Sequence, residues 1–188
     1  MHTHPNLVSI DSSLLLVIDI QSRLVAAMPE NDAEQMLDNS SRLIEAAETL
    51  DIPVLLTEQY PKGLGPTDHK LTEKLAKNTA IFEKTGFSCL AADGFTEALK
   101  QSGRKQIIVI GQETHVCVIQ TALELLNQGY QVHIVEDAVC SRKIEHKLFA
   151  LQRMQQQGAT ITCHESVLFE WLKNSNHPDF KSISRLVR

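Results

Sequence analysis

Gln106 to Ser141 reads QIIVIGQETHVCVIQTALELLNQGYQVHIVEDAVCS, and the fold is decided here. Gln106 to Ile110 is a β-branched run without polar alternation, the pattern of a strand buried on both faces of a parallel sheet, and Gly111 ends it. Beyond the turn, Val118, Ala122 and Leu125 fall at helical spacing, and Gly129 stands where a helix stops in a left-handed residue. Tyr130 to Val135 is then the next strand. The unit is strand, turn, helix, strand, and its turn GQETHVC delivers Cys117 to a helix start. Peptide dipoles turn their positive end toward such a position, so the spacing predicts a thiol that ionises more readily than usual.

Working outward, the same punctuation recurs. Gly103 precedes Ile107, Gly129 precedes Val132 and Gly158 precedes Ile161, each between a helical pattern and a strand, as parallel α/β sheets require. Leu14 to Ile18 is a second doubly buried strand, ending in Asp19. Pro29 and Asp32 open a helix, with Asp32-x-x-Gln35 as a capping box and Ala33, Met36, Leu43, Ala47 and Leu50 along one face. Pro53 leads into the strand Val54 to Thr57. The loop EQYPKGLGPTDH follows, then a short helix over Leu71 to Ala76 and a strand from Ala80 to Glu83 that ends at Lys84. Phe95 to Gln101 is helical. Ile144 to Gln157 is the crossover before a sixth strand, Thr160 to Thr162. Val167 to Leu172 and Phe180 to Val187 close the chain as helices, and Trp171 is read as packing for the first of them. No linker, repeat or low-complexity segment interrupts this order, so residues 1–188 are read as a single α/β domain.

Composition narrows the functional classes. With 188 residues, 43% hydrophobic and 22% charged, the chain has the make-up of a soluble globular domain. Its 18 Lys and Arg against 23 Asp and Glu give a net charge of −5, and no basic block is present, so nucleic acid is not expected as a partner. No apolar run is long enough to span a bilayer, and no membrane partner is expected. The four cysteines, Cys89, Cys117, Cys140 and Cys163, show no CxxC pairing, and the N-terminus lacks a secretory h-region; both favour free thiols in the cytoplasm.

Chemistry in such sheets gathers at the carboxyl ends of the strands. Three reactive side chains reach that crest: Asp19, Lys84 and Cys117. A carboxylate base, an ammonium and a thiol nucleophile form a working set for acyl transfer. Other candidates fit packing better. His115 sits on the turn and is expected to point away from Cys117; Cys140 and Cys163 follow strands as packed thiols; His133 lies inside a strand as a structural or interface residue. Gln59 and Tyr60 either line a substrate pocket or shape the loop.

The blocks LLLVIDIQ around Asp19, FEKTGFSC around Lys84 and GQETHVCVIQTALELLNQGYQVHIVEDAVCSR around Cys117 resemble the isochorismatase-like superfamily of cysteine hydrolases from about Leu14 to Ser166. TEQYPKGLGPT resembles its isochorismatase domain-containing branch. The resemblance implies a three-layer Rossmann-like fold, a six-stranded parallel sheet ordered 3-2-1-4-5-6 with helices on both faces. It also implies an Asp19–Lys84–Cys117 triad, a small-molecule substrate, and a cis peptide between Gln112 and Glu113, with the Glu113 and Cys117 N–H groups as the oxyanion hole. Nicotinamidases of the superfamily carry an Asp-x-His metal motif after the second strand. Here Thr57, Glu58, Gln59 and Tyr60 stand there, with only His69 downstream, so no metal and no cofactor are expected. The apolar stripe Phe180, Ile183, Val187 is expected to pack in a homo-oligomer, a dimer or tetramer. Three functions stay open: a cysteine amidohydrolase working through a thioester, a vinyl-ether C–O hydrolase with Asp19 as acid, and a silent binding member.

Overall fold

The computed structural model describes residues 4–187. Six strands form one parallel sheet in the order β3-β2-β1-β4-β5-β6. They are β1 (Ser13–Ile18), β2 (Val54–Gln59), β3 (Ala80–Lys84), β4 (Gln106–Gln112), β5 (Gln131–Cys140) and β6 (Thr160–Thr162). The helices are α1 (Ser22–Val25), α2 (Glu30–Thr49), α3 (Pro61–Leu64), α4 (His69–Thr72), α5 (Phe95–Gln101), α6 (Ile119–Asn127), α7 (Ile144–Gln156), α8 (His164–Leu172) and α9 (Phe180–Ile183).

Alternation along β1 explains the layering. Leu15 and Val17 belong to a core with residues of α2, α8 and α9, whereas Leu14, Leu16 and Ile18 belong to a second core with residues of α5, α6 and α7. Successive strand residues face opposite ways, so a strand apolar at every position must be covered on both sides. Trp171 of α8 is fully buried and its indole N–H donates to Ser13 Oγ at 3.0 Å, which ties that layer to the base of β1.

Gly111 is where the sheet needs a glycine. Its φ is +118°, and a Cβ there would come within 2.0 Å of the Ile18 carbonyl oxygen. The absent side chain lets β4 lie tightly against β1 just below Asp19 and Gln112.

Several local expectations shift. α2 begins at Glu30 with Pro29 at its cap and no side-chain cap bond, so Asp32 complements the dipole inside the first turn rather than capping it. The helix expected over Leu71 to Ala76 is displaced to His69–Thr72, because the Asp68 side chain accepts the Lys70 N–H and starts it earlier. β5 runs on to Cys140: its register against β4 shifts between Val109 and Gly111, and the apolar Ala138 to Cys140 resume the strand. The C-terminal stripe covers its own chain. Ile183 is buried in the α2 and α8 core, and Phe180 and Val187 pack against it. The last helix therefore supplies no free apolar face for assembly.

His133 sits in β5 with 2% exposure, and burial lowers its pKa from 6.5 to about 4. Between those values the unfolded chain takes a proton that the folded chain refuses, so stability falls as pH drops through that window and is unaffected by this residue above it. The loss is expected to be on the order of 1 kcal/mol per pH unit. Urea melts across pH 4 to 7 should show this slope in the parent protein and a flatter one in His133→Phe. Equal slopes would remove His133 as the cause.

Candidate active site

Three strand ends and one turn converge at the crest. Asp19 leaves β1 in a left-handed conformation, φ 50°, one that a short polar residue adopts more readily than most. Its backbone N–H donates to Thr57 O at 3.1 Å, and its side chain is fully buried. Lys84, the last residue of β3, donates from Nζ to Asp19 Oδ2 at 2.6 Å, and its side chain is fully buried too. The same Nζ donates to Gln59 Oε1 at 2.7 Å and Phe87 O at 2.9 Å, which uses an ammonium's full set of N–H donors. Lys84 therefore acts on its surroundings through its charge and through Asp19.

Cys117 does not open an ordinary α-helix. Thr114 to Val118 form a π-helical turn in which Val116 and Val118 N–H both donate to Glu113 O, and α6 starts only at Ile119. The peptide between Gln112 and Glu113 is cis. The expected easily ionised thiol is corrected as well. Burial, then the Asp19 charge and its hydrogen bond, push the Cys117 pKa far up, and the Lys84 charge offsets this only in part. Desolvation outweighs the peptide dipoles for a thiol that is 6% exposed. Cys117 rests protonated, next to a carboxylate able to take its proton.

The turn is held from β5. Thr114 Oγ1 donates to Cys140 O at 3.0 Å, and Arg142 N and Nε donate to the Glu113 carboxylate at 3.0 Å. Burial would raise the Glu113 pKa, but the Arg142 bonds and charge outweigh it and hold it low. His115 turns outward, its Nδ1 3.0 Å from Ser141 Oγ and its ring 4.7 Å from that of His146. Cys140 is buried, and burial pushes its pKa to about 11. Cys163 Sγ lies 3.2 Å from Ser166 Oγ, beyond the end of β6.

Thr57 is the residue the sequence reading passed over. Its hydroxyl donates to Asp19 Oδ1 at 2.8 Å and lies 3.6 Å from Cys89 Sγ. Cys89 is fully buried, and burial followed by the Asp19 charge pushes its pKa to about 11. A Thr inside a strand pattern reads as an ordinary β-former, and only the pairing of β1 with β2 sets it beside Asp19.

The segment after β2 is tied down by its own side chains. Glu58 Oε1 accepts both the backbone and hydroxyl protons of Thr67 at 2.7 Å, while Gln21 Nε2 donates to Gln59 O at 3.0 Å and Gly65 O at 2.6 Å. Among the described residues no three His, Cys, Asp or Glu side chains are grouped to hold a metal. Gln59 turns inward to Lys84 and Thr85, its Nε2 donating to Thr85 O at 2.9 Å. Tyr60 is 54% exposed and lines a cavity of about 460 Å³ with Lys62, Glu83, Lys84, Ala91 and Asp93. A larger cavity, about 660 Å³, lies where β4 and β5 begin, lined in part by Lys105, Gln106, Phe169, Glu170 and Lys173. Gln106 and Glu170 there already accept the N–H groups of Ser9 and Val8, and none of the cavity's lining residues is a cysteine. Size alone does not make it the reactive site.

A doubly wound parallel sheet with a buried acid–lysine pair and a thiol at its crest is a hydrolase-type α/β fold. The isochorismatase domain model matches residues 13–166, and the chain belongs to the isochorismatase family. Isochorismatase domain-containing protein 2 of Xenopus laevis is 38% identical over 179 residues, 94% of this chain and 83% of that one. Isochorismatase family protein 1A of Dictyostelium discoideum is 41% identical over 180 residues, 92% and 84% of the two chains. The solved structure of MAR1 ribonuclease from Caenorhabditis elegans superposes with a TM-score of 0.90 at 40% identity, covering 96% of this chain and 91% of that one.

Proposed function

We propose that the protein hydrolyses a small amide or related acyl compound through a Cys117 thioester, with Asp19 as proton carrier and Lys84 as fixed charge. The observation that carries this reading is the fully buried 2.6 Å Asp19–Lys84 pair beside a nearly buried thiol. Asp19 takes the thiol proton as Sγ bonds to the carbonyl carbon, then gives that proton to the departing nitrogen as the C–N bond breaks. Water next gives a proton to Asp19 while its oxygen bonds to the thioester carbon. The C–S bond breaks, the thiol is reprotonated and the acid is released. Negative charge on the carbonyl oxygen is received by the Glu113 and Cys117 N–H groups in this scheme. The cavity beside Tyr60 shares Lys84 with this site but is lined by neither Asp19 nor Cys117.

The vinyl-ether alternative needs an acid but leaves the thiol beside Asp19 without a role. RNA enters as a competing substrate through the name of the nematode relative. The net charge of −5 and the internal saturation of Lys84 weigh against a phosphodiester at this crest. A panel of aliphatic and aromatic primary amides, a vinyl ether and single-stranded RNA separates the readings. Ammonia release from an amide supports acyl chemistry; cleavage of RNA or the vinyl ether with every amide inert would sink it.

Assembly is proposed through α7 in place of the last helix. Ile144, Leu148 and Phe149 are 46%, 56% and 68% exposed along it, and Phe149 shares a surface cavity with His115 of the Cys117 turn. Light scattering at micromolar concentration is expected to give at least a dimer, and Phe149→Glu is expected to shift it to the monomer mass. A parent protein already at the monomer mass would end this proposal.

A further inference from the structure

β2 lies between β1 and β3, so its carboxyl end runs between the strand ends that carry Asp19 and Lys84, whose side chains meet across it. Side chains two apart on a strand share a face, and Thr57 and Gln59 are such a pair. They reach opposite ways along the crest. Thr57 Oγ1 donates to Asp19 Oδ1 at 2.8 Å on one side, and Gln59 Oε1 accepts from Lys84 Nζ at 2.7 Å on the other. Because the Thr57 proton goes to the carboxylate, the 3.6 Å contact with Cys89 has the thiol as donor, which braces the hydroxyl from behind. The Gln59 amide is braced likewise, by its bond to Thr85 O and by Gln21 Oε1, which accepts the Gln59 backbone N–H at 2.7 Å.

Resting on the thiol reading above, we propose that Thr57 and Gln59 are positioning residues for the Asp19–Lys84 pair. A carboxylate held at one oxygen by Lys84 still rotates about its Cβ–Cγ bond. The Thr57 hydroxyl stops that rotation and presents Asp19 to the Cys117 thiol. Gln59 keeps the Lys84 ammonium on Asp19 and away from solvent. Neither residue touches substrate, which separates Gln59 from the lining role of Tyr60.

The test uses iodoacetamide, a small primary amide whose carbon bonds to Cys117 Sγ as iodide leaves and the thiol proton passes to Asp19. The parent carries Cys163→Ser to remove the most exposed of the thiols, and alkylation of Cys117 is followed by peptide mass over a range of reagent concentrations. Thr57→Val keeps the shape and loses the hydroxyl; Thr57→Ser keeps the hydroxyl and loses a methyl group. The maximal rate is expected to fall about tenfold in Thr57→Val, the size of one hydrogen bond to a charged group, and to stay within about twofold in Thr57→Ser. Gln59→Met is expected to lower the maximal rate several-fold while leaving half-saturation unchanged. Equal rates in Val and parent, or equal losses in Val and Ser, would overturn the hydroxyl's role. A raised half-saturation in Gln59→Met with its maximal rate intact would make Gln59 a substrate contact instead. Should the Val variant not fold, Thr57→Ala against Thr57→Ser isolates the same hydroxyl. An inert Cys117 in the parent counts against the thiol reading and this inference together, whereas a reactive parent with insensitive variants counts against β2 alone.

Discussion

Cys117→Ala is expected to lower amide hydrolysis by roughly a thousandfold or more, because the covalent route is lost while only background water attack remains. Folding is expected to survive. Asp19 keeps Thr57 and Lys84 as hydrogen-bond partners when the thiol is gone, so the melting temperature should move by only a few degrees. The comparison must use the amide that the substrate panel identifies, with circular dichroism confirming the fold. Retained turnover would mean that water attacks directly, with Asp19 as its base, and the thioester would have to be given up. The raised pKa of Cys117 adds a condition to this experiment. Since the thiol rests protonated, its reactivity depends on Asp19, and Asp19→Asn should be nearly as damaging as loss of the thiol itself.

The second large effect concerns stability. Lys84→Met removes one partner of an ion pair whose side chains are both fully buried. Asp19 would then be left charged, with only the Thr57 hydroxyl and the Cys117 thiol beside it, and the Gln59 and Phe87 oxygens would lose their donor. Breaking a buried pair from one side costs about 3–5 kcal/mol, whereas replacing both charges by groups of similar shape is often close to neutral. Lys84→Met is thus expected to lose about that much in urea unfolding, and Asp19→Asn combined with Lys84→Met to recover most of it. A double variant no more stable than the Lys84→Met single would show that Lys84 stabilises the crest by its backbone carbonyl bonds to the Phe87 turn rather than by pairing with Asp19.

These two experiments separate roles that share one set of atoms. Asp19 holds Lys84, receives the Thr57 hydroxyl and is the proposed acceptor of the Cys117 proton, and a substitution there disturbs all three at once. Substitution at Cys117 reports on chemistry, at Lys84 on the buried pair, and at Thr57 on orientation. Phe149 is exposed and shares a cavity with His115 but not with Asp19, Lys84 or Cys117, so Phe149→Glu tests assembly without entering the buried network.

Some of this protein was legible in the amino-acid order alone. Runs such as Leu14 to Ile18 and Ile107 to Ile110 are apolar at every position, and a strand of that kind has no stable place except between two covering layers. Gly103, Gly129 and Gly158 all take positive φ, and a glycine that ends a helix in that conformation is a local property that neighbours scarcely alter. The parallel sheet and the presence of Asp19, Lys84 and Cys117 at strand ends follow from those signals. What the order of residues left open was set by contacts between distant segments. Thr57 becomes part of the site only because β2 pairs with β1, and Gln59 turns to Lys84 only because β3 lies on its other side. The ionisation of Cys117 was misjudged for the same reason: a dipole is a feature of one turn, but desolvation depends on everything packed around the sulfur. The C-terminal stripe looked free because its periodicity says that it must be covered, and the tertiary structure alone says by what. α2 and α8 lie close enough to cover it, so Ile183 meets its own chain at an effective concentration no second subunit can match.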